Sequence, residues 1–181
     1  YGPRTIVLTA LTREEVEPAA AEFRREAGGI DVVVEWGDMF WSETLKDRTR
    51  SEVLDDAEAR RQLLDDLYGD LTDDVVKRSH FASLLDRHRP DIVVDCVNTA
   101  TAFAYQNVFA SASQLRAQAE AGESSLDSVE RHLATLYLPQ LIRHVQIALE
   151  AMRRAGTGMY LKIGTAGTGG MGLNIPFTHS E

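Results

Sequence analysis

The sequence has one cysteine in 181 residues, which excludes a disulfide framework and a multi-cysteine zinc site. It has no apolar run approaching the roughly 20 residues that span a bilayer, and no signal-peptide pattern. Positive charge is scarce too: 19 Lys+Arg stand against 28 Asp+Glu, a formal net charge of −9. Binding a phosphate backbone needs concentrated positive charge, and here the arginines are interleaved with acids throughout. No nucleic-acid partner and no membrane-surface partner is therefore expected. The five histidines form no HExxH pattern or His/Asp cluster, so no metal is expected. No G-x-S-x-G elbow marks a hydrolase. What remains is 44% hydrophobic and 26% charged, enough for one buried core. The expectation is an acidic, cytoplasmic, single-domain chain over 1–181, with helical insertions near 40–72 and 105–127.

Thr5 to Leu11 (TIVLTAL) is a short β-rich run. Thr12 and Glu15 form a capping-box pair for a helix whose apolar face carries Val16, Ala19, Ala20, Phe23 and Ala27, and Gly28-Gly29 can end it. Ile30 to Trp36 reads as a second strand, stopped by Gly37-Asp38. From Met39 to about Asp91 the pattern is helical: one amphipathic helix through Val53, Leu54, Ala57, Leu64 and Leu67, and a second from about Asp73 to His88. Asp55, Asp56, Glu58, Arg60 and Arg61 read as a solvated helix face. After Arg89-Pro90-Asp91 comes the strongest strand, Ile92 to Val97, in which Cys96 reads as a small core residue. A polar and small-residue stretch then makes a surface excursion. Asp127 with Glu130 caps a long helix striped by Val129, Leu133, Leu136, Leu141, Val145, Leu149 and Met152, with a kink or break at Pro139. Met159 to Ile163 is the last strand. Apolar strands separated by amphipathic helices imply an α/β fold: a doubly wound, mostly parallel sheet with helices on both faces. Ligands of such sheets bind beyond the carboxyl ends of the strands, which places function at Ala10–Arg13, Gly37–Met39, Asn98–Thr101 and Gly164–Gly172.

At those four places the sequence resembles the short-chain dehydrogenase/reductase superfamily, extended members included. Gly37-Asp38, with Met39 beside it, matches the point where that family sets an Asp against the adenine of a nicotinamide cofactor. Asn98-Thr99-Ala100-Thr101 resembles its Asn-Ala motif, where small residues leave room for the cofactor. Thr165, after Gly164 and the final strand, matches its catalytic Ser/Thr, which orients the substrate oxygen. The resemblance implies a Rossmann-like NAD(P)-binding domain that transfers hydride between nicotinamide and a carbonyl or alcohol of a small-molecule substrate. The strand tip before Arg13 supplies no acid for a ribose 2′-hydroxyl, and an Arg nearby accommodates a 2′-phosphate, so NADP is favoured over NAD.

Two family features are missing from these residues. No Gly-rich strand–loop–helix precedes Tyr1, and where Tyr-x-x-x-Lys is expected the chain has Phe177 and Glu181. With an opening on Tyr1-Gly2-Pro3 and a close on His179-Ser180-Glu181, the expectation is a partial domain that binds cofactor poorly alone. Gly167-Thr168-Gly169-Gly170-Met171-Gly172 satisfies G-x-G-x-x-G but runs into Leu173-Asn174-Ile175-Pro176, a poor helix start. It reads as a substrate-side or cofactor-side loop. Two alternatives stand beside the oxidoreductase: a non-catalytic nucleotide-binding or scaffold domain, and a nucleotide-sugar epimerase or dehydratase of the extended branch. The long helix either pairs with its copy in a homodimer, as in related enzymes, or covers the sheet.

Overall fold

A computed structural model describes residues 2–97 and 108–163. Strand β1 (Thr5–Ala10), helix α1 (Arg13–Glu26) and strand β2 (Asp31–Trp36) form a parallel β–α–β unit. The two strands run in register from Thr5↔Asp31 to Ala10↔Trp36, and Gly37 N–H extends the ladder to the Ala10 carbonyl at 3.0 Å. Glu15 accepts from the Thr12 amide at 3.1 Å, which starts α1 as a capping box predicts. Val16 and Ala20 are the buried positions of its face, and Arg24 Nη2 reaches back to the Val32 carbonyl at 2.8 Å. Ala19, placed on that face by its spacing, is exposed.

Each of the two helices expected between Met39 and Asp91 divides at a side-chain cap. Helices α2 (Arg50–Asp55) and α3 (Ala57–Tyr68) break at Asp56, which accepts from the Glu58 and Ala59 amides at 2.9 and 3.2 Å. Helices α4 (Asp73–Arg78) and α5 (His80–His88) break at Ser79, which accepts from Ala82 N–H. Capping groups compete with the helix for backbone partners, and here they win. Strand β3 (Ile92–Asp95) follows. Then come α6 (Val108–Glu120), with no buried residue, α7 (Leu126–Thr135), α8 (Tyr137–Ala155) and strand β4 (Met159–Lys162). The expected break near Pro139 lies at Leu136, leaving the proline in the first turn of α8, where its missing N–H costs no helical bond. The cap of α7 is Ser125 with Ser128 rather than Asp127 with Glu130.

β3 and β4 pair in parallel, Ile92↔Met159 to Asp95↔Lys162. Among the described residues the four strands thus form two parallel pairs, β1–β2 and β3–β4, and not the single sheet expected. Two apolar clusters hold the helices. One joins α4, α5 and α8 through Val76, Phe81, Leu85, Ile147 and Ala151, with Val93 of β3 against it. The other gathers Trp41, Leu45, Val53, Leu63, Leu67 and Ala134. No described helix is long and apolar enough to cross a membrane.

Three readings of single residues are corrected. Arg60 is not on a solvated face: it is 2% exposed, and its guanidinium binds Asp127, Glu130 and the Leu54 carbonyl. Cys96 follows β3 and is exposed. Val145 and Leu149, expected in the covered stripe of the long helix, are exposed, while Gln140, Arg143 and His144 are buried in their place. The cause is local. Arg143 donates to the Leu67 and Gly69 carbonyls at the end of α3, and Gln140 to the Ala134 and Leu136 carbonyls at the end of α7. The inward face of α8 therefore closes two helix C-termini, whose last carbonyls have no partner of their own.

Candidate functional site

Because β1 and β2 are parallel and in register, the residues that leave them emerge at one end. There Arg13 and Asp38 line a single cleft of about 680 Å³, together with Trp36, Lys46, Arg48 and Arg50. Clefts of this size at the carboxyl ends of parallel strands are where α/β folds hold ligands. Two cations lie over the Trp36 ring: the Arg13 guanidinium carbon lies 5.1 Å and Lys46 Nζ 5.5 Å from its centroid. Lys46 Nζ also donates to the Trp36 carbonyl at 3.0 Å. Arg13 Nε binds Glu17 at 3.2 Å, and the guanidinium carries four further N–H donors. Arg48 is tied to Asp56 at 3.0 Å and to the Glu52 carbonyl at 2.9 Å.

Gly37 makes the turn into this cleft at φ 128°, a conformation side-chain-bearing residues rarely adopt, and a Cβ there would stand 3.0 Å from the Lys46 side chain. Asp38 folds back on its own loop: Oδ1 accepts from Phe40 N–H at 2.9 Å, and its amide donates to the Lys46 carbonyl at 2.9 Å. Burial pushes its carboxyl above the usual range, against the opposing pull of the Phe40 amide, Arg50 and His80. Burial likewise lowers Arg50, with Asp38 opposing. The cleft thus brings together an aromatic ring, four cations and one buried carboxyl. Chemically it suits a planar ring joined to an anionic group. Met39 packs against the α4–α5–α8 cluster.

The ends of β3 and β4 carry a second polar cluster. Asp95 accepts from Val97 N–H at 2.8 Å, from Lys162 Nζ at 2.9 Å and from the Tyr160 hydroxyl. Although burial raises its carboxyl, the Tyr160 and Lys162 bonds outweigh it, and the group lies below its ordinary value. Tyr160 is pushed up by burial and then by Asp95, so it holds its proton. His144 lies between the rings of Phe40 (4.4 Å) and Phe81 (5.4 Å), and burial lowers it to about 4, with Lys162 adding to the shift and Asp95 opposing. This cluster knits the two strand ends together.

Of the residues singled out from sequence, Arg13 and Asp38 share the cleft. Asn98, Thr99, Ala100, Gly164 and Thr165 lie outside the described residues, as does the Gly167–Gly172 motif. Sequence reasoning missed Trp36, Lys46, Arg48 and Arg50. The signal was present: Lys46, Arg48 and Arg50 alternate with Asp47 and Thr49 in an otherwise acidic chain, in the loop that follows Gly37-Asp38. Among the described residues no group of three or more His, Cys, Asp or Glu converges as a metal site would require. No protein-family model, curated protein or solved structure matches the chain, so the site's own chemistry carries the functional argument.

Proposed function

We propose that the cleft beyond β1 and β2 receives the adenosine end of a nicotinamide cofactor, NADP in preference to NAD, and that the protein is an oxidoreductase of the short-chain dehydrogenase/reductase type. The observation that carries this reading is that Arg13 and Asp38 meet in one cleft at the carboxyl ends of two parallel strands. A dinucleotide in such a fold lies across the strand ends, and an Arg near the second strand meets a 2′-phosphate. Lys46, whose ammonium also lies over the Trp36 ring, would add a second cation to that anion. In this reading the two parallel pairs are flanks of one doubly wound sheet, ordered β2-β1-x-β3-β4, where x is a further parallel strand. That order is the 3-2-1-4-5 arrangement of dinucleotide-binding sheets. Hydride transfer is the cofactor's chemistry; Thr165, by its place after β4, would orient the substrate oxygen.

Thermal unfolding of the full-length protein in millimolar NADP, NAD and 2′,5′-ADP tests the reading. NADP and 2′,5′-ADP are expected to raise the midpoint more than NAD does, and Arg13→Ala is expected to remove the difference. No shift with any of the three overturns it. The identities of Phe177 and Glu181, where a catalytic Tyr and Lys are expected, favour a second reading in which the domain binds nucleotide without catalysis. Cofactor binding with no NADPH-dependent reduction across a panel of carbonyl compounds would select that one.

A further inference from the structure

The lining of the cleft draws on three separate parts of the chain: Asp38 after β2, Arg50 at the start of α2 and Gln140 in the first turn of α8. Gln140 is 4% exposed. Arg50 Nη2 and Gln140 Nε2 both donate to the Ala134 carbonyl, one of the last of α7, and this shared acceptor holds the two side chains beside each other. The Arg50 charge acts in turn on the Asp38 carboxyl. The three side chains therefore make one neighbourhood.

A carboxamide has two N–H donors and one oxygen. Both donors of Gln140 are taken by the Ala134 and Leu136 carbonyls, at 2.8 and 3.3 Å. What remains is Oε1, which accepts from no described residue. Asp38 is in the same condition: Oδ1 holds the Phe40 amide, and Oδ2 accepts from no described residue. The cleft thus offers a ligand two oxygen acceptors, and a desolvated acceptor left without a donor is costly. We propose that Gln140 is a specificity-determining residue of the cleft: an exocyclic amine on the ligand's ring donates one N–H to Gln140 Oε1 and the other to Asp38 Oδ2, so that an aminopurine is taken and an oxopurine refused. This selectivity rests on the nucleotide reading of the same cleft and adds to it that the ring carries an amine. The carbonyl oxygen of an oxopurine would stand where the amine nitrogen does, facing two further acceptors with no proton between them. Sites built to hydrogen-bond a group reject the analogue lacking it far more strongly than sites that merely enclose it.

Calorimetric titration of the full-length protein with NADP and with nicotinamide hypoxanthine dinucleotide phosphate tests the assignment. The two differ only at the purine, which carries an amine in one and an oxygen in the other, so their phosphate and nicotinamide contacts cancel. NADP is expected to bind roughly tenfold tighter or more. Gln140→Met keeps the length of the side chain and removes its oxygen, and is expected to bring the two affinities to within about threefold of each other. The Gln140 amide also closes the end of α7, so the far-UV spectrum of the variant is recorded beside the titration. Should Gln140→Met unfold, Asp38→Asn reads the same pattern: it sets an N–H donor where Oδ2 accepted and is expected to move the ratio toward the hypoxanthine cofactor. Equal affinity of the native protein for both cofactors overturns the assignment and leaves the cofactor reading standing, as does a ratio that a folded variant leaves unchanged. Binding of neither cofactor overturns both.

Discussion

Arg60 Nε and Glu130 Oε2 lie 3.0 Å apart with side chains 2% and 9% exposed, so that an ion pair inside the protein ties α3 to α7. Asp127 binds the same guanidinium, and Arg61 stands 3.7 Å from the second Glu130 oxygen. Removing one partner of a buried pair strands the other charge away from water, a loss of about 3 kcal/mol or more. Arg60→Met is expected to lower stability by that order in urea unfolding. Arg60→Met with Glu130→Leu is expected to lose much less, because neither charge is then left stranded.

His144 predicts an acid limb in the stability curve. Its value in the folded chain is about 4 against an ordinary 6.5. Below pH 6.5 the unfolded chain takes up a proton that the folded chain refuses until about pH 4. Stability is therefore full above pH 6.5 and falls as pH drops through that window, by roughly 3 kcal/mol. His144→Phe keeps a ring between Phe40 and Phe81 and should flatten this stretch in urea titrations repeated from pH 7 to pH 4. Asp95, also depressed in the folded chain, gives a further loss only below the ordinary carboxylate range, and titrations continued below pH 4 should show that loss surviving in His144→Phe.

On the proposed reading the Lys46 charge holds the anion of the ligand and not its ring. Lys46→Met keeps an unbranched side chain of similar length and removes the charge. Hydrogen bonds to charged groups are worth ~1.5–3 kcal/mol, so affinity for 2′,5′-ADP is expected to fall by roughly ten- to a hundredfold in calorimetric titration while adenosine binding stays level. An equal loss for both ligands would place Lys46 in support of the loop rather than on the anion.

Gly37→Ala puts a side chain at φ 128° and a Cβ 3.0 Å from the Lys46 stem. Strain of this kind costs about 1–3 kcal/mol. Thermal unfolding should show that loss, together with weaker binding of 2′,5′-ADP as Lys46 is displaced from Trp36.

Much of the element order was legible. Thr12 and Glu15 announce α1, the runs of β-branched residues announce β2 and β3, and Pro139 announces the division of the long helix, because each acts through its near neighbours. Asp56 and Ser79 were equally visible as capping residues, but their helices read as continuous, since the apolar period runs across both breaks. Arg13 and Asp38 could be placed at one rim from strand order alone. Trp36 and the Lys46–Arg50 run could not, because their relation to Arg13 depends on how the loop after Gly37 returns across the strand ends.

Local chemistry, then, was sufficient for the order of strands and helices and for the parallel sense of the paired strands. Which residues of α8 face inward was decided only by the fold. Spacing assigns a helix an apolar stripe, but the ends of α3 and α7 present unpaired carbonyls to it, and a carbonyl buried without a partner costs more than an apolar side chain left in water. The same rule sent Arg60 inward: a charge enters the interior only where a partner is waiting, and Glu130, far away in sequence, becomes that partner only once the chain has folded.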